Sequence, residues 1–248
     1  MFRHRGKTRN LSHNKKIASL LSFVAGVVNV AGFISVQRLT TNVTGHFAYF
    51  VDEVFKLNFA ESFIYFYYIL FFFLGSFISS LFVEIISRKN EQYIYVIPTI
   101  IESIILFAVA IFGHYLTTNH ANTIAFTLLF AMGLQNSLVT RISDAIVRTT
   151  HLTGLFTDLG IELSQLFFYK SEAQKAKLLT TIKLRMRIIA FFFMGGIFGG
   201  IFYTKLQLYV LLFPASLLVI GLFYGTVKFK FLHWSRNTEL LKKYSSNN

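Results

Sequence analysis

The chain is written in long apolar runs broken by short polar phrases. Runs of Phe, Leu, Ile and Val long enough to cross hydrocarbon about 30 Å thick as helices of about 20 residues fall at 17–37, 59–86, 93–116, 122–141, 187–204 and 206–227. Two shorter, semi-apolar stretches, 42–57 and 150–168, follow the first and the fourth run. Both open on nearly the same words, TTNVTGHF from Thr40 and TTHLTGLF from Thr149. The pattern predicts an all-α polytopic membrane bundle of six spans, with two short Thr-Gly helices that are re-entrant or stop short of a full crossing.

The repetition extends beyond the phrases. Gly26 and Asn29 in GVVN match Gly133 and Asn136 in GLQN, and Glu53 and Glu162 stand equally far beyond Gly45 and Gly154. FFFLGSFISSLF at 71–82 aligns without gaps on FFFMGGIFGGIF at 191–202. Two copies of one unit, 17–116 and 122–227, account for this, between a basic N-terminus, 1–16, and a tail, 228–248. Three spans per copy make the second copy enter the membrane from the opposite side, an inverted repeat. In transporters so built, substrate sites gather near the midplane at the repeat interface. The expectation is that the two phrases dip in from opposite faces and meet near the centre.

Composition agrees with a bilayer location: 54% of residues are hydrophobic, 17% are aromatic and the mean hydropathy is +0.56, above what a soluble core requires. The net charge of +13 chooses the topology. With six spans, 21 of the 24 Lys and Arg fall on one side, in 1–16, 84–92, 141–187 and 228–248, leaving Arg38, Lys56 and Lys205 opposite. Positive residues accumulate in cytoplasmic loops, so both termini are expected inside. Eight crossings would move Arg88, Lys89, Arg141 and Arg148 outward, a poorer fit. The stretch 170–187, with six Lys and Arg, reads as a cytoplasmic loop inserted in the second copy. The tail, with Phe229, Phe231 and Trp234 among Lys228, Lys230 and Arg236, suits an interface with anionic membrane lipid.

Several chemistries are excluded. The chain has no cysteine, which removes disulfides, thiol catalysis and cysteine metal sites. No GxGxxG, P-loop, GxSxG or HExxH occurs, and Ser22, Ser35 and Ser137 have no evident base. His46, His114, His120 and His151 form no i, i+4 pair. The chain is therefore expected not to be an enzyme and to need no cofactor or metal, and its basic ends flank apolar spans instead of forming a nucleic-acid domain.

What remains is polar chemistry at membrane depth. The candidate substrate-binding residues are Asn29, Thr41, Thr44, Gly45, His46, Gln135, Asn136, Thr150, Thr153 and Gly154. Glycine after threonine permits an unusual turn, and threonine hydroxyls can cap a helix start, so the phrases read either as a ligand cradle or as helix caps. Asn29, Gln135 and Asn136 read as ligand contacts or as interhelical glue; His46 reads as a proton relay or as a local bond to backbone. Glu102, deep in an apolar span, is a candidate coupling carboxylate, beside Asp52, Glu53, Asp158 and Glu162 on the short stretches. Asp158 and Glu162 share a helix face. Gly195, Gly196, Gly199 and Gly200, matched by Gly75, Ser76, Ser79 and Ser80, form small-residue faces for packing between the halves or in a homodimer. Pro98 and Pro214 mark kinks or helix entries.

AGVVNVAGF at 25–33 with VTGH at 43–46, and Gly133, Gln135, Asn136, Thr150, Thr153 and Gly154, make the chain resemble the YoaK-like family of bacterial multi-pass membrane proteins, a domain of unknown function. The resemblance covers nearly the whole chain. The family's usual Asp is Asn29 here and its usual Asn after Thr-Gly is His46. The family implies a bacterial inner membrane location and lends no substrate. The residues read best as a secondary transporter or permease for a small polar or anionic solute; the alternative is a non-transporting membrane protein that binds a partner or lipid.

Overall fold

The computed structural model describes residues 11–88, 96–143, 149–169 and 171–223. Among these residues the fold is all helical: α1 (Leu11–Val36), α2 (Val43–Phe55), α3 (Phe59–Ser87), α4 (Val96–Asn119), α5 (Ala121–Ser143), α6 (Leu152–Gln165), α7 (Glu172–Leu206), a 3-10 turn (Gln207–Leu211), and α8 at 212–223. Five stretches are long and apolar enough to cross a membrane, at Lys15–Val36, Phe59–Ser87, Val96–Thr117, Ala121–Arg141 and Glu172–Phe223. Their outward faces carry Phe73, Phe77, Ile104, Phe112, Phe193, Ile197 and Ile201, all exposed. Apolar surface on this scale belongs against lipid.

The last stretch is not one rod. Gln207 takes φ 48° and the chain turns through the 3-10 segment. Phe198 and Phe213, which would lie about 22 Å apart in a continuous helix, instead bring their rings to 4.8 Å. The expected single run from 206 to 227 is therefore a turn followed by a helix, and its residues beyond 223 lie outside the described ones. Pro214 and Pro98 fall in the first turns of α8 and α4, where a missing N–H costs nothing; they are helix entries.

One expectation changes. Residues 172–187 are not a loop but the first half of α7. Their sequence is rich in Ala, Leu, Lys, Gln and Arg, strong helix formers, and buries Leu178, Ile182 and Leu184. A run of positive charge says nothing by itself about conformation.

Packing crosses between the two sequence copies. α1 packs most extensively on α7, and α5 on α3. A Cβ at Gly26 would lie 2.1 Å from the Phe192 carbonyl oxygen, and one at the matching Gly133 would lie 2.2 Å from that of the matching Phe72. The reverse contacts repeat too: a Cβ at Gly195 would meet the Phe23 carbonyl, and one at Gly75 the Phe130 carbonyl, both at 2.1 Å. Only glycine lets these backbones come so close. The small-residue faces are thus used inside the chain.

Directions follow from the same contacts. Phe23, Val27 and Val30 meet Gly195, Gly199 and Gly200 in turn, so α1 and α7 run parallel. Asn122, Phe126, Phe130 and Arg141 meet Tyr68, Phe71, Gly75 and Glu84, so α5 and α3 do as well. Leu21 meets Gln135 while Gly32 faces Leu128, so α1 and α5 are antiparallel. These two form the centre, with 61% of each apolar window buried against 17% for α3.

Candidate functional site

After α1 the chain turns at Gln37, φ 51°, and doubles back along α1 before α2 begins. Two threonines pin it there. Thr40, fully buried, donates to the Val28 carbonyl at 3.2 Å, and Thr41 Oγ1 donates to Asn29 Oδ1 at 2.6 Å. α2 then packs on α3 through His46 against Tyr68, with ring centroids 4.5 Å apart, and Tyr49 stacked on Tyr65 at 5.2 Å.

The second phrase repeats the arrangement against α5. Asn136 Nδ2 donates to Thr150 Oγ1, while Gln135 Nε2 donates to Thr149 Oγ1 at 3.1 Å and to the Leu21 carbonyl at 2.9 Å. Gln135 therefore ties α1, α5 and the phrase together from a fully buried position. Each phrase is held by its own copy's first helix, and among the described residues no hydrogen bond joins one phrase to the other. Leu21 and Val28, which mark the two anchoring levels on α1, are about 10 Å apart along the axis.

The caps differ from expectation. Asn42 caps α2, its Oδ1 accepting from the Gly45 N–H at 3.1 Å; His151 holds the equivalent place on α6 without a side-chain cap bond. Thr44 and Thr153 are exposed. Gly45 and Gly154 do not take positive φ; the described non-glycine residues that do are Gln37, Leu57 and Gln207. Space around them is limited by side chains: a Cβ at Gly45 would lie 2.4 Å from Leu39 Cδ1, and one at Gly154 would lie 2.4 Å from His151 Nδ1, so either side chain would have to shift.

His46 is buried, and its Nε2–H donates to the Leu39 carbonyl at 2.6 Å, the local backbone bond. Its Nδ1 has no partner. Next to it, Tyr68 donates to Asn122 Oδ1 at 2.5 Å, and the sequence pattern did not single out this pair.

The carboxylates separate into three groups. Asp158 and Glu162 share a face as their spacing requires and both grip Arg185 of α7, at 2.8 and 2.9 Å. Arg185 was hidden in the expected loop; its register with Glu162 was the missing signal. At the far end of α2, Asp52 and Glu53 hold Lys56 at 2.5 and 3.1 Å, and the Asp52 hydrogen bond, followed by that of Glu53, raises the Lys56 pKa above its ordinary value. Glu102 stands apart, fully buried on α4 with neither oxygen hydrogen-bonded.

The copies thus differ at matching positions. Tyr49 and Asp158 stand equally far beyond their phrase glycines, and Tyr65 and Arg185 equally far before the aligned phenylalanines. An aromatic stack ties α2 to α3, where an ion pair ties α6 to α7.

A family model described as a protein of unknown function, DUF1275, matches residues 17–224. The chain belongs to that family. This agrees with the YoaK-like resemblance, whose members are DUF1275 membrane proteins of unknown function. No curated protein and no solved structure matches the chain.

Proposed function

We propose that the protein is a secondary transporter or permease for a small polar or anionic solute, built of six spans in two inverted halves, non-enzymatic, with both termini on the cytoplasmic side of a bacterial inner membrane. One observation carries the reading: two matching phrases are pinned to matching asparagines on antiparallel α1 and α5. An antiparallel pair of matching helices implies a two-fold axis across the helix direction, which is the geometry of inverted repeats. α2 and α6, 13 and 14 residues long, extend only about 20 Å, which supports re-entrant elements over full crossings. Broken backbone at that depth belongs where protein or a water-filled cavity satisfies it.

In this reading Asn29, Thr41, Gln135, Asn136 and Thr150 frame the site, while Thr44, Gly45, Thr153 and Gly154 mark the N-termini of α2 and α6, where the N–H groups left uncapped, that of Gly45 being held by Asn42, favour an anion or a carbonyl. The experiment is a thermal-stability screen of the purified protein across a solute library, since a ligand that binds the native state raises apparent stability, followed by uptake into liposomes. Gly45→Val and Gly154→Val should remain inserted yet lose both responses. If both variants keep them for a confirmed solute, the phrases are helix anchors only.

The second reading is a non-transporting membrane protein that binds a partner or lipid. The internal satisfaction of Asn29 and Asn136 by phrase threonines favours it. A screen without a hit, together with capture of a specific lipid, would select it.

A further inference from the structure

We propose that Glu102 is a proton-binding site within the membrane. Among the described residues it is the fully buried carboxyl group of the bundle. It lies on the inner face of α4 with Leu106, Val109 and Ala110, all buried, while Ile97, Ile100, Ile104 and Ile111 cover the opposite face, exposed. Neither oxygen accepts a hydrogen bond. The adjacent buried hydroxyl, that of Ser103, donates to the Thr99 carbonyl at 2.8 Å. A bare carboxylate in such a place is costly unless its charge is matched, by a cationic side chain or by a bound cation.

Among the described residues no cationic side chain bonds to Glu102. α4 packs on α5, on the Gln207–Leu211 turn and, more lightly, on α3. Titratable or charged side chains on these elements are Arg141 on α5, Tyr209 in the turn, and Glu61, Tyr65, Tyr67, Tyr68 and Glu84 on α3. Arg141 bonds Glu84 through Nη2 at 2.8 Å, its buried Nε having no hydrogen-bond partner, and Tyr68 donates to Asn122. On α4 itself, His114 bonds Gln207 at 3.2 Å near the other end. The remaining acids of the short helices are matched, Asp52 and Glu53 by Lys56, and Asp158 and Glu162 by Arg185. With no basic partner and no cluster of metal ligands among the described residues, the occupant that fits is the smallest cation, a proton, carried as the carboxylic acid. Its exchange requires the packing around α4 to open, which links protonation to the packing of the bundle.

The test uses the intact, purified native chain in detergent and a fluorescent hydrophobic carbodiimide, a reagent that adds to protonated carboxyl groups in apolar surroundings. Peptide mapping should place the adduct on Glu102, with Asp52, Glu53, Asp158 and Glu162 unlabelled and no adduct in Glu102→Gln. Labelling should fall about tenfold per pH unit once the group ionises, and Na⁺ or K⁺ at constant pH should not change it. Absence of an adduct from pH 5 to 9 would overturn the proposal, as would labelling suppressed by Na⁺, which would make the site one for a metal cation. The inference rests on the membrane reading but not on transport: a failed solute screen leaves the labelling result standing, and the reverse also holds.

Discussion

At Gly26 and Gly133 the whole cost of a side chain is steric. A Cβ would sit 2.1 and 2.2 Å from backbone carbonyl oxygens of the partner helix, and rigid backbone cannot move aside as a side-chain tip can. Gly26→Ala should lower the thermal midpoint in detergent by an amount equivalent to about 1–3 kcal/mol or more. Gly160 has nothing within 4 Å, so Gly160→Ala on α6 should stabilise by about 0.5–1 kcal/mol through helix propensity. If the two variants shift the midpoint equally, the close approach is wrong. Gln37, at φ 51°, carries a left-handed conformation that glycine adopts freely, so Gln37→Gly should gain about 1 kcal/mol in the same assay. The sequence marked Gly75 and Gly195 as small-residue packing positions and Gly26 and Gly133 only as matching repeat positions, and it pointed to Gly45 and Gly154 for unusual turns. The turns instead use Gln37, Leu57 and Gln207, because the chain must reverse after α1, α2 and α7 whatever residue stands there.

For the short helices, what matters is how each is tethered. α6 is tied to α7 by Arg185, whose side chain is 23% exposed and meets a Glu162 only 13% exposed. Charge-assisted bonds of this kind are worth about 1.5–3 kcal/mol. A double-mutant cycle of Arg185→Met with Glu162→Gln should give a coupling energy of about 1 kcal/mol or more, whereas Lys56→Met with Asp52→Asn, both partners more than half exposed, should give a smaller one. Equal couplings would remove the distinction. α2 has no such lock and relies on Tyr49 and Tyr65 with His46 on Tyr68, so high salt should loosen α6 and leave α2 in place, as read by limited proteolysis. Helix existence was legible from the apolar runs and the phrases. The length of α7 was not, because a basic stretch looks like a loop until its buried stripe of Leu178, Ile182 and Leu184 is seen against a neighbour.

For the molecule as a whole, the 21-to-3 division of Lys and Arg predicts which surfaces face outward. Single cysteines at Asn90, Asn119 and Ser171 in this cysteine-free chain, labelled on intact cells with an impermeant thiol reagent, should react only at 119. Labelling at 90 with protection at 119 would require two further crossings. The sequence by itself determined the membrane class, the two copies and the sites of the phrases, since hydrophobic run length, charge bias and repeated words are properties of a segment and its neighbours along the chain. It also named Asn29, Thr41, Asn136 and Thr150, which the fold joins in two hydrogen-bonded pairs. Only the tertiary structure decided that the copies exchange partners, α1 on α7 and α5 on α3, and that each phrase is bound by its own copy's asparagine instead of by the other phrase. It also paired Arg185 with Asp158 and Glu162 and, among the described residues, left Glu102 without a hydrogen-bond partner. Those outcomes depend on which helix faces approach within a few ångströms, and an apolar span has many nearly equivalent faces; glycine spacing and a handful of hydrogen bonds choose among them only once all the helices are packed.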